Sequence, residues 1–201
     1  MTELSGSHVL VVGATGVLGA EISRQLAALG VQLTLSGRTE DKLAQLAGEL
    51  GDAVVGQVAA DLGKPAGPAV EVDDDTLDEL VLVNLLGYMR LMRDVAPSLG
   101  KDSFVAQISA IVAESPTAGM AAYSATKAGL SAYGKALTLE LRKQGVRVID
   151  ARPPHTETGL ATRPISGEAP KLPQGKDPVA VAARIVTAIR EGERDLPSSA
   201  F

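Results

Sequence analysis

Tyr123 and Lys127 stand four residues apart in Tyr-Ser-Ala-Thr-Lys, a spacing that puts a phenol and an ammonium on one face of a helix. A nearby positive charge lowers a phenol's pKa from about 10, so such a pair can exchange a proton with an oxygen atom near neutral pH. A second segment, Gly13-Ala-Thr15-Gly16-Val17-Leu18-Gly19, suggests phosphate chemistry. Its first glycine lets the chain turn sharply and its second lets the backbone approach a pyrophosphate. The third lets the following helix pack close to the sheet, with its N-terminal N–H groups facing the phosphates. The alternative for this segment is a purely structural turn, and for the Tyr/Lys pair a surface phenol and a solvated lysine.

These side chains need a scaffold, and the rest of the pattern supplies one. His8–Val12 is a short apolar run that suits a buried parallel strand. Ala20–Leu29 is helix-like and closed by Gly30. Val31–Leu35 is a second strand, Thr39 caps a helix running through Leu50, and Ala53–Ala60 is a third strand. This β-α-β-α-β order predicts a doubly wound parallel sheet of Rossmann type, α/β/α in three layers. Leu62–Asp75 reads as loop, Thr76–Leu99 as helical, Phe104–Ser109 as strand and Tyr123–Gln144 as a long helix. Val146–Asp150 is a further strand, Pro153–Lys176 irregular and Pro178–Glu191 a final helix. With no internal repeat and no linker, the whole span 1–201 is expected to be one domain.

The elements locate two more cofactor contacts. Arg38 follows the second strand, where dinucleotide-binding folds often place an acidic residue for the ribose 2′-hydroxyl. None of Ser36, Gly37 and Arg38 is acidic, and a guanidinium there suits a 2′-phosphate, so NADP is expected ahead of NAD. The alternative is a solvated loop arginine. Asp61, with Leu62 beside it, either bonds an adenine amine or caps the next turn.

Composition narrows the function classes. Hydrophobic residues make up 45% and charged residues 21%, with a net charge of −5. That balance offers no general attraction for nucleic acid or anionic membrane. There are no cysteines and only two histidines, so no metal site is expected. The first residues lack the basic and apolar regions of a signal peptide, and no apolar run approaches the ~18 residues needed to span a bilayer. A cytoplasmic location is therefore expected.

The glycine turn, Tyr123-Ser-Ala-Thr-Lys127, the preceding Ser109 and Arg152-Pro-Pro-His-Thr-Glu-Thr158 together resemble the short-chain dehydrogenase/reductase family. The likeness runs over Val9–Asp61 and Val83–Leu160. It implies that Tyr123 is the acid/base while a bound nicotinamide exchanges hydride, and that Lys127 also holds the ribose hydroxyls. Val83-Asn84-Leu-Leu-Gly87 is similar to the family's VNxxG helix, which makes Asn84 the water-positioning residue of a proton relay. Pro153–Thr158 is similar to the PG-x-x-x-T segment beside the nicotinamide, with Pro154 in place of glycine. Pro153, Thr156 and Thr158 are its expected cofactor contacts. By analogy with family members, a homodimer or homotetramer is expected.

Two departures accompany the resemblance. The family's substrate-binding serine lies about thirteen residues before the tyrosine, which here falls on Ala110. Ser109 is one place early, and neighbouring side chains on a strand point to opposite faces. Either a bulge turns Ser109 inward, or Ser115 substitutes, or the hydrogen bond is missing. The stretch from Asp61 to Asn84 is also too short for the helix and central strand the family places there. The expected function is NADP-dependent hydride transfer to or from a small carbonyl or alcohol. The alternatives are a catalytically impaired NADP(H)-binding sensor and, less in keeping with the chain's length, a sugar-nucleotide epimerase or dehydratase.

Overall fold

The computed structural model describes residues 3–59, 72–159 and 172–201. Their packing divides the chain into two compact units. One comprises Met1–Leu62 with Lys176–Gly192, the other Gly63–Gly175 with Glu193–Phe201.

In the first unit, β1 (His8–Val12), β2 (Gln32–Gly37) and β3 (Val54–Ala59) form a parallel sheet in the order β1-β2-β3. Leu33 and Leu35 alternate inward on β2 and are fully buried, as the period-two rule for strands requires. Helices α1 (Val17–Ala28) and α2 (Glu40–Leu50) turn Ile22, Leu26, Leu43 and Leu46 into the core. The last helix of this unit, α6 (Pro178–Glu191), packs against α1. Its cap is explicit in the sequence: Pro178 fixes the first turn, and the Asp177 carboxylate accepts from the Val179 and Ala180 amides. Thr39 sits at the N-cap of α2, but its side chain makes no capping bond; Glu40 and Asp41 supply negative charge in the first turn instead.

The second unit begins with one helical run: α3 (Asp74–Val81), a π-helical turn (Leu82–Leu86) and α4 (Gly87–Val95). The Asp73 carboxylate caps α3 by accepting from the Thr76 amide at 2.7 Å. A second parallel sheet follows, ordered β4-β5-β6 and built from Phe104–Ile108, Arg147–Ala151 and Asp195–Leu196. Across it runs α5 (Ala121–Leu141), the longest helix among the described residues.

The result is a Rossmann-like α/β fold with parallel strands, as the sequence predicts. The expected elements recur with small shifts at their ends. One such shift is in α1, which starts at Val17 rather than Ala20, because Gly16 serves as N-cap without needing a side chain. The short strand β6 has no counterpart in the expected elements. Among the described residues no strand lies between β3 and β4, where the sequence predicts that one is missing.

Candidate functional site

The glycine turn is held by its own backbone. The Ala14 amide donates to the Ser36 carbonyl at 2.7 Å, tying the turn to the end of β2, and the Gly16 amide donates to the Gly13 carbonyl at 3.0 Å. Gly13 has φ +75°, a conformation side-chain-bearing residues rarely adopt. A Cβ on Gly19 would stand 2.2 Å from the Gly13 carbonyl oxygen, so only glycine lets the first turn of α1 come this close. Thr15 lies against Gly37, at the end of β2 next to Arg38.

No side chain caps α1, so the amides of its first turn, at Val17, Leu18 and Gly19, have no intrahelical acceptor. Val17 borders a cleft of about 390 Å³ at the N-termini of α1 and α6, whose charged lining is Arg24 with the carboxylates Glu21 and Asp177. Uncapped amides at a positive helix end suit a phosphate group. Arg38 is exposed just beyond β2. Asp61 and Leu62 lie outside the described residues.

In the second unit, α5 places Tyr123 and Lys127 on one face, with the Lys127 Nζ 5.6 Å from the centre of the Tyr123 ring. Lys127 also donates to the Ile108 carbonyl at 3.2 Å, which anchors it to the end of β4. Tyr123 packs with Leu80, Val112 and Met120, and Ala110 joins this cluster. Burial pushes the Tyr123 phenol up to about 12. The sequence suggests the opposite direction; burial in the apolar cluster sets the shift. Burial likewise pushes Lys127 down to about 8, with the charge of Asp150 opposing that shift.

Asn84 sits in the π-helical turn, where its Nδ2 donates to the Leu80 carbonyl at 3.0 Å. The Gly87 amide closes that turn on the Leu82 carbonyl. Such turns are rare and frequent at functional sites. This one packs on α5, with Leu85 against Gly129.

Ser109 lies just past the end of β4. It is buried, and its hydroxyl donates to the Asp150 carboxylate at 2.7 Å. Ser115 lies in the turn after Ile111–Ala113, where its carbonyl accepts from the Thr117 hydroxyl at 3.4 Å. Thr156 donates its hydroxyl to the Pro154 carbonyl at 2.9 Å, and the Thr158 amide donates to the Thr156 carbonyl at 2.7 Å. The segment beginning at Pro153 is thus folded on itself, and the Pro153 carbonyl accepts from the Ile111 amide at 3.0 Å.

Sequence reasoning missed an ionic cluster around Arg152. The buried guanidinium donates to Glu114 at 2.5 Å, Asp150 at 2.7 Å and Asp195 at 2.7 Å. Asp150, also buried, accepts from Ser131 at 2.6 Å as well as from Ser109. Burial alone would push the Asp150 carboxyl up, but the bonds from Ser131, Ser109 and Arg152 hold it below the usual range. Glu114 is lowered in the same way, by Ser198 and then Arg152 acting against burial. The available signal was an aspartate following the apolar pair Val148-Ile149 on a strand, with an arginine two residues on. Their partners are too far away in sequence for spacing to find them.

Residues 55–168 match the family model described as short chain dehydrogenase. The chain therefore belongs to the short-chain dehydrogenase family. It is 29% identical to the 3-oxoacyl-[acyl-carrier-protein] reductase FabG of Rickettsia bellii over 74% of this chain and 72% of that one. An uncharacterized oxidoreductase of Staphylococcus saprophyticus is 28% identical over 95% of this chain and 94% of its own. That alignment spans 225 positions, more than the 201 residues of the chain, so the relative has residues with no counterpart here.

Among solved structures, a short chain dehydrogenase from Burkholderia cenocepacia in complex with NADP superimposes with a TM-score of 0.83, at 18% identity and 98% of each chain. The 3-ketoacyl-(acyl-carrier-protein) reductase from Brucella melitensis complexed with NADH gives 0.82, at 20% identity and 98% and 99% coverage.

Proposed function

We propose that this chain is an NADP-dependent oxidoreductase that reduces a small carbonyl, or oxidises the corresponding alcohol, with Tyr123 as acid/base. The observation that carries the reading is the Tyr123–Lys127 pair on one face of α5, with the Asn84 turn packed on the same helix. A bound nicotinamide would supply or accept the hydride. Tyr123 donates its phenolic proton to the carbonyl oxygen, and the Lys127 ammonium stabilises the phenolate left behind. The Asn84 turn holds a water from which the proton is restored. The amides of Val17, Leu18 and Gly19 would take the diphosphate, Arg38 the 2′-phosphate, and Lys127 the ribose hydroxyls. Pro153, Thr156 and Thr158 would contact the nicotinamide end.

The NADP complex of one structural neighbour supports this cofactor choice, and the NADH complex of another makes it a point to measure. The 3-oxoacyl reductase among the relatives makes a 3-oxoacyl thioester a sensible first substrate. Calorimetric titration with NADPH and NADH is expected to give micromolar binding of NADPH and much weaker binding of NADH. Tyr123→Phe should keep that affinity while losing turnover by about 10²–10⁴-fold. No binding of either dinucleotide would sink the reading.

One observation favours a second reading, an NADP(H)-binding sensor without turnover. The Ser109 hydroxyl is committed to Asp150, and Ala110 stands in the tyrosine cluster, where a substrate ligand would be useful. A lost donor of this kind costs about 10²–10³ in rate without abolishing catalysis. If the sensor reading holds, Tyr123→Phe will be indistinguishable from the wild type in every assay.

A further inference from the structure

Along its buried side α5 carries Tyr123, Lys127 and Ser131 at successive four-residue steps, which stacks them in one row. The row ends on a carboxylate: the Ser131 hydroxyl donates to Asp150 Oδ2 at 2.6 Å, and Ser109 donates to the other oxygen at 2.7 Å. We propose that Asp150 is the buried counter-charge of Lys127, a positioning residue that keeps the lysine an ammonium beside Tyr123. The proposal rests on the oxidoreductase reading for its purpose, but not for its physics.

The charges around the row agree with this assignment. Lys127 meets Tyr123 on its own helix and the Ile108 carbonyl from β4, and neither brings a negative charge at neutral pH. Asn84, on the neighbouring helical run, is neutral. Asp150 meets Arg152 on β5, Ser131 on α5, Ser109 and Gln107 from the β4 side, and Tyr88 on α4 at longer range. Arg152 does not cancel Asp150, because the same guanidinium also serves Glu114 and Asp195. One positive charge against three carboxylates leaves the cluster negative. Glu114 and Asp195 are partly or largely exposed and screened by solvent, so the buried Asp150 is the carboxylate that favours the charged form of a nearby lysine. Burial works against that ammonium and Asp150 works for it. Ser109 then serves the dyad through Asp150 rather than by touching substrate.

The test reads Lys127 itself in the cofactor-free protein. Lysines labelled with ¹³C at Cε are followed by NMR through a pH titration, and the Lys127 signal is assigned by its loss in Lys127→Met. The wild type should titrate near pH 8. In Asp150→Asn the midpoint is expected to fall by at least about half a pH unit, roughly a threefold change in the ionisation constant. An unmoved midpoint in a folded variant overturns the proposal, since a merely structural Asp150 would lower the melting temperature and leave Lys127 in place. Should Asp150→Asn fail to fold, Asp150→Ser removes the same charge while leaving room for a bridging water and keeping Arg152 with its other two carboxylates, and the same downward shift is expected. A wild type without turnover would sink the oxidoreductase reading while leaving this titration fully interpretable.

Discussion

At the scale of single residues, the two members of the dyad are pushed in directions that together favour reduction. Tyr123 keeps its proton until about pH 12, so the phenol is always available as a donor under ordinary conditions. Lys127 loses its proton near pH 8, so the ammonium that would receive the developing phenolate is present below that pH and disappears above it. Carbonyl reduction should therefore be level below pH 8 and decline as pH rises through it. Alcohol oxidation, which starts from the deprotonated side, should still be climbing there. Initial rates of kcat/KM in both directions between pH 6 and 10 check this, and a reduction rate that rises through pH 8 contradicts it. The spacing of Tyr123 and Lys127 was legible in the sequence because helical geometry converts it directly into a shared face. The direction of the Tyr123 shift was not, because it depends on Leu80 and Val112, brought in from other elements, as well as on nearby Met120. For Ser109 the sequence left three outcomes open: an inward bulge, Ser115 in its place, or a missing bond. Only the fold could say that the partner of Ser109 is Asp150, forty-one residues away.

At the scale of elements, the start of α1 does the most specific work, and its glycines can be separated from an ordinary one. Gly19→Ala places a methyl 2.2 Å from the Gly13 carbonyl oxygen, an atom of fixed backbone, so α1 must move away from the turn. NADPH affinity is expected to fall at least about tenfold, a loss of about 1.4 kcal/mol of binding energy, and the melting temperature to fall with it. Gly48 is the contrast. It lies inside α2 with nothing near its would-be Cβ, so Gly48→Ala should stabilise the protein by up to about 1 kcal/mol. Calorimetric titration and thermal melts of the two variants check both halves; equal effects would mean that the turn is not held by close approach. The glycine pattern announced this element clearly, whereas the π-helical turn around Asn84 stayed hidden. Apolar residues spaced for an α-helix look the same whether or not one turn is widened, so Thr76–Leu99 read as a single regular helix.

At the scale of the whole molecule, the chain crosses between units more than once, and its last crossing brings Glu193–Phe201 back to the second unit. There β6 extends the sheet beside β5, with Asp195 opposite Asp150 and the fully buried Leu196 opposite Ala151. The Leu196 carbonyl accepts from the Arg152 amide at 3.0 Å, Asp195 takes one arm of the guanidinium, and the Ser198 hydroxyl donates to Glu114 at 2.5 Å. A two-residue strand between Gly192 and a polar end carries no periodicity, which is why the sequence showed a final helix and nothing beyond it. Its importance comes entirely from partners far back in the chain. Deleting residues 193–201 would uncover the β5 edge, open a cavity where Leu196 sat and strip Arg152 of one carboxylate. The expected loss is at least about 3 kcal/mol, from the leucine cavity and the disturbed buried ion pairs together. Urea unfolding followed by circular dichroism measures it. Hydrogen exchange should locate the damage in β5 and in the Glu114 turn while leaving the amides of α1 and β2 as protected as before. Uniform loss of protection across both units would show instead that the two sheets stand or fall together, and that the C-terminal segment supports more than the unit it packs on.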